Sequence, residues 1–371
     1  MFDRFASKLP AYCAAGCLFD QQTAEQASSE AISDARFQAL EKTSFLGKVT
    51  LASALDLTAG LGVDTLHLSR HFQRVFSVET DPIRYRRLVD NLKLLGVENC
   101  KAIYSDALIA LDALADQVDF IFLDPDRRST GSKLPEWRLA QPKLTDVLAL
   151  LAPHHELWVK QSPAFDFRAA LRDFPQLATI QALSWKNECR ETLWKFPAGG
   201  KVQAHTQACS PNTTLIATKV LEDQSFHFAK LHPVAPVSLP ERSEGQYLID
   251  PDPSLRALNL SDSWAGEQNV AIYSTGRDGW LLADKLPLAG LFRAWKIEST
   301  YIGSIRSIGR WLKETDRLSG HVVVRGLPVD VPSLSRKWGL VPKGNQLIWV
   351  GPAHNGNAFA AVGVSHVPVR A

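Results

Sequence analysis

The sequence predicts an α/β protein: a doubly wound, seven-stranded sheet with an N-terminal helical segment before it and a small α+β domain after it. Three observations carry this. Short β-rich runs alternate with helical stretches between residues 50 and 220. A Gly-rich turn, Asp56-Leu57-Thr58-Ala59-Gly60-Leu61-Gly62, closes the first of those runs. Beyond residue 291, strand-like and helix-like runs alternate again on a shorter scale.

Residues 21–46 contain no Gly or Pro and space Ala27, Ala31, Ala35, Phe37 and Leu40 in a roughly helical pattern, which predicts a helix ahead of the sheet. The seven strands are expected at 54–58, 75–79, 100–104, 118–123, 156–160, 178–183 and 214–219. After residue 221 the pattern loses its period and Pro233, Pro236 and Pro240 mark a linker. In the last part, 295–299, 321–325 and 346–350 read as strands, and 302–313 and 333–338 as helices. The resulting division is 1–50, 51–222, 223–290 and 291–371.

With 371 residues, 45% apolar and 22% charged, the composition is that of a folded protein. No apolar run at the start has signal-peptide length, and none later approaches the roughly 20 residues of a membrane span, so a cytoplasmic protein without a membrane partner is expected. Five cysteines, at 13, 17, 100, 189 and 209, form no Cys-x-x-Cys pair. Buried thiols are the expectation, and no metal. The net charge is only +2, but residues 291–371 hold eleven Lys and Arg against four Asp and Glu. A basic end on a near-neutral chain suggests a polyanionic partner.

In an open parallel sheet, ligands bind beyond the carboxyl ends of the strands. There, Gly60 and Gly62 let the backbone turn tightly and approach a ligand, while Asp64 and Thr65 open the next helix. Glu79, followed closely by Asp81, ends the second strand and could accept hydrogen bonds from ribose hydroxyls. That acid suits adenosyl and dinucleotide ligands equally. A dinucleotide site wants Gly-x-Gly-x-x-Gly, whereas Gly62 is followed by Val63, Asp64 and Thr65.

The spacing Asp56-x-x-x-Gly60-x-Gly62 instead resembles the first motif of class I S-adenosylmethionine-dependent methyltransferases, and the sheet is then Rossmann-like. The resemblance implies S-adenosylmethionine as cofactor. It places Asp56 near the cofactor's amino acid end with Thr58 and the glycine turn, Glu79 on the ribose, and Asp106 with Ala107 near the adenine. The fourth strand delivers Asp124-Pro125-Asp126-Arg127-Arg128. Methyltransferases of exocyclic base nitrogens resemble this in an Asp or Asn followed by Pro-Pro and an aromatic, but here Asp126 and Arg127 stand at the last two places. Any stacking platform must then come from Arg127, Trp137 or another element. Uridine C5 methyltransferases are also similar at this motif, yet the next strand reads Trp158-Val159-Lys160-Gln161-Ser162-Pro163 without their cysteine. The expected chemistry is methyl transfer to a nucleophile positioned by Asp124, with Arg127, Arg128 and Lys160 contacting phosphate or an acidic substrate group.

Further runs resemble the class I methyltransferases that end in a THUMP-like domain: Glu25-Gln26-Ala27-Ser28-Ser29-Glu30, the stretch from Lys160 to Phe167, Tyr247-Leu248-Ile249-Asp250-Pro251, and Val323-Val324-Arg325. This resemblance implies an RNA substrate, rRNA or tRNA. Arg306 and Arg310, with Lys313 and Arg317, could form a phosphate-tracking face. A small-molecule or protein methyltransferase, or a noncatalytic RNA-binding protein on the same scaffold, is the alternative.

Overall fold

The chain folds as two units, residues 1–233 and 234–371. In this computed structural model the described residues are 2–42, 53–126, 137–199, 213–222, 224–276, 278–288, 290–343, 346–354 and 356–367.

In the first unit, helices α1 (Phe2–Phe5), α2 (Pro10–Ala14), α3 (Gln21–Gln26) and α4 (Glu30–Lys42) precede the sheet. Its strands are β1 (Ser53–Asp56), β2 (Arg74–Glu79), β3 (Cys100–Tyr104), β4 (Phe120–Leu123), β5 (Glu156–Gln161), β6 (Thr179–Trp185), β7 (Glu188–Phe196), β8 (Thr214–Val220) and β9 (Ser225–Leu231). Helices α5 (Val63–Leu68), α6 (Pro82–Leu94), α7 (Ala107–Leu114), α8 (Leu144–Ala149) and α9 (Phe167–Asp173) connect them. The spatial order is β3-β2-β1-β4-β5-β7-β6-β8-β9. β1 to β5 run parallel, and β7 lies antiparallel between β5 and β6.

Among the described residues the sheet thus has nine strands, where seven were expected. β7 escapes a pattern search because Glu188, Arg190, Glu191 and Lys195 interrupt its apolar residues, although Glu191 and Lys195 are buried. Its hairpin turn leaves a trace, since Lys186 and Asn187 both adopt positive φ (51° and 62°), as a two-residue type I′ turn requires. β9 is an edge strand inside the stretch expected to be a linker, paired along its length with β8.

The predicted helix over 21–46 is two helices, and residues 43–46 lie outside the described residues. The break falls at Ala27, where ψ is 152°. Beyond it, Ser28 Oγ donates to the Asp64 carboxylate, while Ser29 Oγ accepts from Ile32 N–H and caps the start of α4. Phe37 of α4 stacks on Trp158 and meets Phe122 edge-on, seating the helix on the sheet. α1 to α3 bury Phe5, Leu9, Tyr12, Cys17 and Ala24 against Leu61, Val63 and Leu66 of the glycine turn and α5. Burial pushes the Cys17 thiol up to about 11, in keeping with a packing role.

One polar cluster crosses this apolar interface. Arg36, wholly buried, donates through Nε and Nη2 to the two carboxylate oxygens of Glu191 at 2.7 Å each, and through Nη1 to Asp64. Ser28 and Ser33 complete the Asp64 carboxylate at 2.9 and 2.6 Å.

The second unit contains β10 (Tyr247–Pro251), α10 (Pro253–Ala257), α11 (Ser261–Gly266), β11 (Ile272–Ser274), β12 (Leu281–Ala283), β13 (Phe292–Gly303), α12 (Ile305–Glu314), β14 (His321–Val324), α13 (Val331–Trp338), β15 (Leu347–Pro352) and β16 (Ala358–Val367). Among the described residues its sheet has the order β11-β12-β10-β13-β16-β15-β14, in which β14 and β15 pair parallel and the other neighbours antiparallel. The α+β class matches the expectation for the chain's end. The expected boundaries at 223 and 291 do not match, because β10 pairs with β13 across the supposed border. β11 and β12 have three residues each, too few to show a period. α12 and α13 pack Ile308, Leu312, Leu334 and Trp338 against Ile348, Val350 and Ala360. Among the described residues, no helix is long and apolar enough to cross a membrane.

Replacing Arg36 by Leu strands two carboxylates in the interior and is expected to cost about 3–5 kcal/mol of stability, read by urea denaturation. Pairing Arg36→Leu with Glu191→Gln should recover part of the loss. A change under about 0.5 kcal/mol for the single variant would mean that the cluster does not hold the N-terminal helices.

Candidate active site

A cavity of about 460 Å³ opens at the carboxyl ends of β1 to β5. The turn after β1 forms its floor, Glu79 and Thr80 one side, Ser105 to Leu108 the next, and Asp124 to Asp126 with Lys160 the far side. Thr23, Gln26, Ala27 and Ser28, all from the segment ahead of the sheet, close the remaining wall.

The turn needs its glycines for two different reasons. Gly60 has φ 56° and a Cβ there would meet nothing within 4 Å, so the backbone is bare toward the cavity. Its N–H donates to Glu79 Oε2 at 3.1 Å. Gly62, at φ 91°, precedes α5, and a Cβ would stand 2.7 Å from Leu88 Cδ1. Gly60 therefore faces the cavity, while Gly62 permits helix packing. Glu79 also accepts from Asp81 N–H at 2.8 Å, and Arg84 Nε stands 3.5 Å away.

The acids divide by environment. Asp64 lines the cavity: burial alone would raise its pKa, but Arg36, Lys160, Ser33 and Ser28 outweigh burial and hold it below the usual carboxylate range. Asp106 also lines the cavity while capping α7 through Leu108 and Ile109 N–H. Asp81 caps α6 and does not line the cavity. Asp56 is wholly buried beneath the turn, accepting from Thr58 N–H at 3.2 Å and Thr65 Oγ1 at 2.6 Å. Burial and the nearby Asp64 push it up to about 7. Asp56 thus braces the turn from below, out of reach of a cavity ligand.

Asp124 N–H donates to Thr58 Oγ1 at 2.8 Å, which ties the end of β4 to the turn after β1. The Asp124 carboxylate is ion-paired with Lys160 Nζ at 2.5 Å. Burial would lower the Lys160 pKa, but Asp124, Glu191 and Asp64 raise it above its ordinary value, so this lysine stays charged and is no general base. Asp126 exchanges backbone hydrogen bonds with Gln141, which holds the chain beside the cavity. Arg127 and Arg128 lie outside the described residues. Trp137, a candidate stacking platform, is instead buried edge-on against Phe174 and Trp194.

Of the residues expected at a cofactor, the cavity brings together Thr58, Gly60, Asp64, Glu79, Asp106 and Ala107, with Asp124, Pro125, Asp126 and Lys160 opposite. Asp56, Gly62, Thr65 and Asp81 support it from outside. Sequence reasoning missed Thr23, Gln26, Gln141 and Pro142 on the wall. The Asp20-x-x-Thr23 capping box was a readable mark of the start of the helix that presents the first two. Arg306 and Arg310 belong to α12 in the second unit, where they share an exposed face with Lys313, opposite Ile308 and Leu312. Arg317 pairs with Glu298 at 2.6 Å.

Residues 24–131, less than half of the chain, match the model of a family described as Conserved hypothetical protein 95. The chain is 32% identical over 83 residues to a 28S rRNA (cytosine-C(5))-methyltransferase of Drosophila melanogaster, a match covering 22% of this chain and 19% of that protein. A crystal structure of a Porphyromonas gingivalis protein, provisionally assigned as a methyltransferase, superposes with a TM-score of 0.78 at 16% identity. The superposition covers 97% of this chain and 87% of the other. The chain shares the fold of that protein.

A carboxyl whose folded pKa is raised stabilises most below its unfolded pKa and loses that contribution as pH rises through the folded value. Asp56→Asn should therefore gain stability relative to wild type between about pH 4 and the folded value of about 7, by up to roughly 1.4 kcal/mol per pH unit, and stay level above it. Urea denaturation across that range checks the difference. Parallel curves for the two proteins would mean that Asp56 is ionised in the fold throughout.

Proposed function

We propose that this protein is an S-adenosylmethionine-dependent methyltransferase acting on RNA, a base of rRNA or tRNA, in the cytoplasm. The observation that carries the cofactor assignment is one cavity in which a bare glycine turn faces Asp64 of the helix that follows it and carboxylates at the ends of three successive strands, Glu79, Asp106 and Asp124. Anionic walls suit a cationic sulfonium and ammonium, and Glu79 suits a ribose diol. The open space at Gly60 is a cradle that any side chain would fill.

When bound, the cofactor supplies an activated methyl group. Glu79 would hold the ribose hydroxyls, Asp106 and Ala107 would flank the adenine, and Asp64 would face the amino acid end with Thr58. Asp124, fixed by Thr58 and ion-paired with Lys160, accepts a hydrogen bond from the incoming nucleophile and sets its line of approach. Desolvation by the wall at residues 23–28 and fixed orientation supply most of the rate, because the sulfonium needs no further activation. Arg127 and Arg128 are proposed substrate contacts beside Pro125 and Asp126.

An RNA substrate is favoured by the exposed Arg306, Arg310 and Lys313 face, by a second unit read as THUMP-like, and by the rRNA in the fly relative's name. That relative's name specifies carbon-5 chemistry. Cys13, Cys17, Cys100 and Cys189 do not line the cavity, and Cys209 lies outside the described residues. Transfer without a covalent cysteine adduct is therefore our reading.

Incubation with radiolabelled S-adenosylmethionine and, separately, total RNA, total protein and a small-molecule extract should label RNA. Label in protein or small molecules alone would replace the substrate assignment, and label in none would favour a noncatalytic scaffold. Asp124→Ala should lower the methylation rate at least about 100-fold while cofactor affinity changes less than about threefold by calorimetry. Glu79→Ala should instead weaken cofactor binding by about 10-fold to 100-fold. A wild-type rate in Asp124→Ala would refute the assignment of that residue.

A further inference from the structure

The second unit holds a cluster of cations that this function leaves unused. Asp250, in β10, is 3% exposed, yet three guanidinium groups converge on its carboxylate. Arg256 Nη1 lies 2.8 Å from Oδ1, Arg293 Nη2 lies 2.6 Å from Oδ2, and Arg325 Nη2 also donates to Oδ1. They come from α10, β13 and the residue after β14. The runs Tyr247–Pro251 and Val323-Val324-Arg325, singled out in the sequence without a role, meet here.

Neutralising one buried carboxylate takes one arginine. Three guanidinium charges stand here against Asp250 and Asp252, the buried cap of α10, which leaves an excess of positive charge. Arginines so close repel one another: burial lowers the Arg256 pKa, and Arg325 and Arg293 lower it further against the pull of Asp250. The side chains are nevertheless 36%, 31% and 21% exposed for Arg256, Arg293 and Arg325, so the cluster faces solvent. Each guanidinium carries five N–H donors, and among the described residues Asp250 and, for Arg256, the Pro251 carbonyl take up some of them. Two of the guanidinium groups also sit over aromatic rings. Arg325 lies 4.0 Å over the Trp280 ring and Arg293 5.2 Å over Trp295. Both indoles are buried.

We propose that Arg256, Arg293 and Arg325 form a phosphodiester-binding site for RNA, with Asp250 as the positioning residue that holds the three forks together. Planar forks match pairs of phosphate oxygens, and guanidinium planes are platforms on which unpaired bases stack. Preorganisation separates this site from the α12 face, whose long side chains must be ordered on binding. The proposal rests on the RNA reading above and names where that substrate would be gripped.

The test uses the full chain and a short fluorescent RNA hairpin with a single-stranded overhang, titrated at several salt concentrations. Wild type should bind, with affinity falling steeply as salt rises. The pair Arg256→Gln with Arg293→Gln leaves Arg325 to neutralise Asp250. It should bind about tenfold more weakly, with a log–log salt slope smaller by about 1–2, while melting temperature and cofactor affinity stay at wild-type values. The pair Arg256→Lys with Arg293→Lys should keep the slope and lose several-fold in affinity, since charge remains and the forks are gone. If the Gln pair does not melt cooperatively, the Lys pair decides: weaker binding at unchanged slope supports the site, and wild-type affinity overturns it. Wild-type affinity and slope in a folded Gln pair would overturn the site while leaving RNA as the substrate. A wild-type protein that binds no RNA would overturn both.

Discussion

Arg36 between Asp64 and Glu191 is the interaction on which the site depends. It joins a helix that precedes the sheet, the helix after the glycine turn and the antiparallel strand β7, three parts of the chain with no local reason to meet. A charge triad in an apolar interior tolerates few other arrangements, because each alternative leaves an ion without its partner. Apolar packing of Phe37 and Ile32 supplies attraction, and the triad supplies register. That register puts residues 23–28 where they wall the cavity and keeps Asp64 ionised at its edge.

The acids at the strand ends divide the work of building the site from that of presenting it. Asp56 and Asp81 spend their oxygens on backbone and hydroxyl donors, fixing the turn and the start of α6. Glu79, Asp64 and Asp124 line the cavity, each steadied by another group. The Thr58 hydroxyl links the two sets, since it accepts from Asp124 N–H while its own N–H leans on Asp56. Position along one loop thus translates into rigidity across two strands.

Most of the sheet was legible because parallel strands buried on both faces are nearly continuous apolar runs, and the glycine turn marks the first of them. β7 was hidden because its charges are satisfied only in three dimensions: Glu191 reads as a solvent residue until Arg36, 155 positions earlier, is placed beside it. The helix break at Ala27 was missed for a related reason, as Ser28 turns away toward Asp64 and helix propensity is a weak prior beside such a bond. At the site, residue type and strand-end position found Glu79, Asp106 and Asp124. They could not tell Asp56 from these, because whether an acid faces a cavity or its own backbone depends on the turn's dihedral angles. Gln141 and Pro142 reach the cavity through a backbone pairing with Asp126 that no periodicity announces.

The 155-residue separation of Arg36 from Glu191 also sets an order of events as the chain is made. Helix α4 leaves the ribosome early carrying a cation whose second partner has not yet been synthesised, and burying it then would cost more than leaving it in water. The Arg36–Asp64 pair can therefore form first, and the triad is complete only once β7 has been made. Brief protease treatment of stalled nascent chains reads this order directly, with cleavage within residues 20–42 persisting until β7 has emerged.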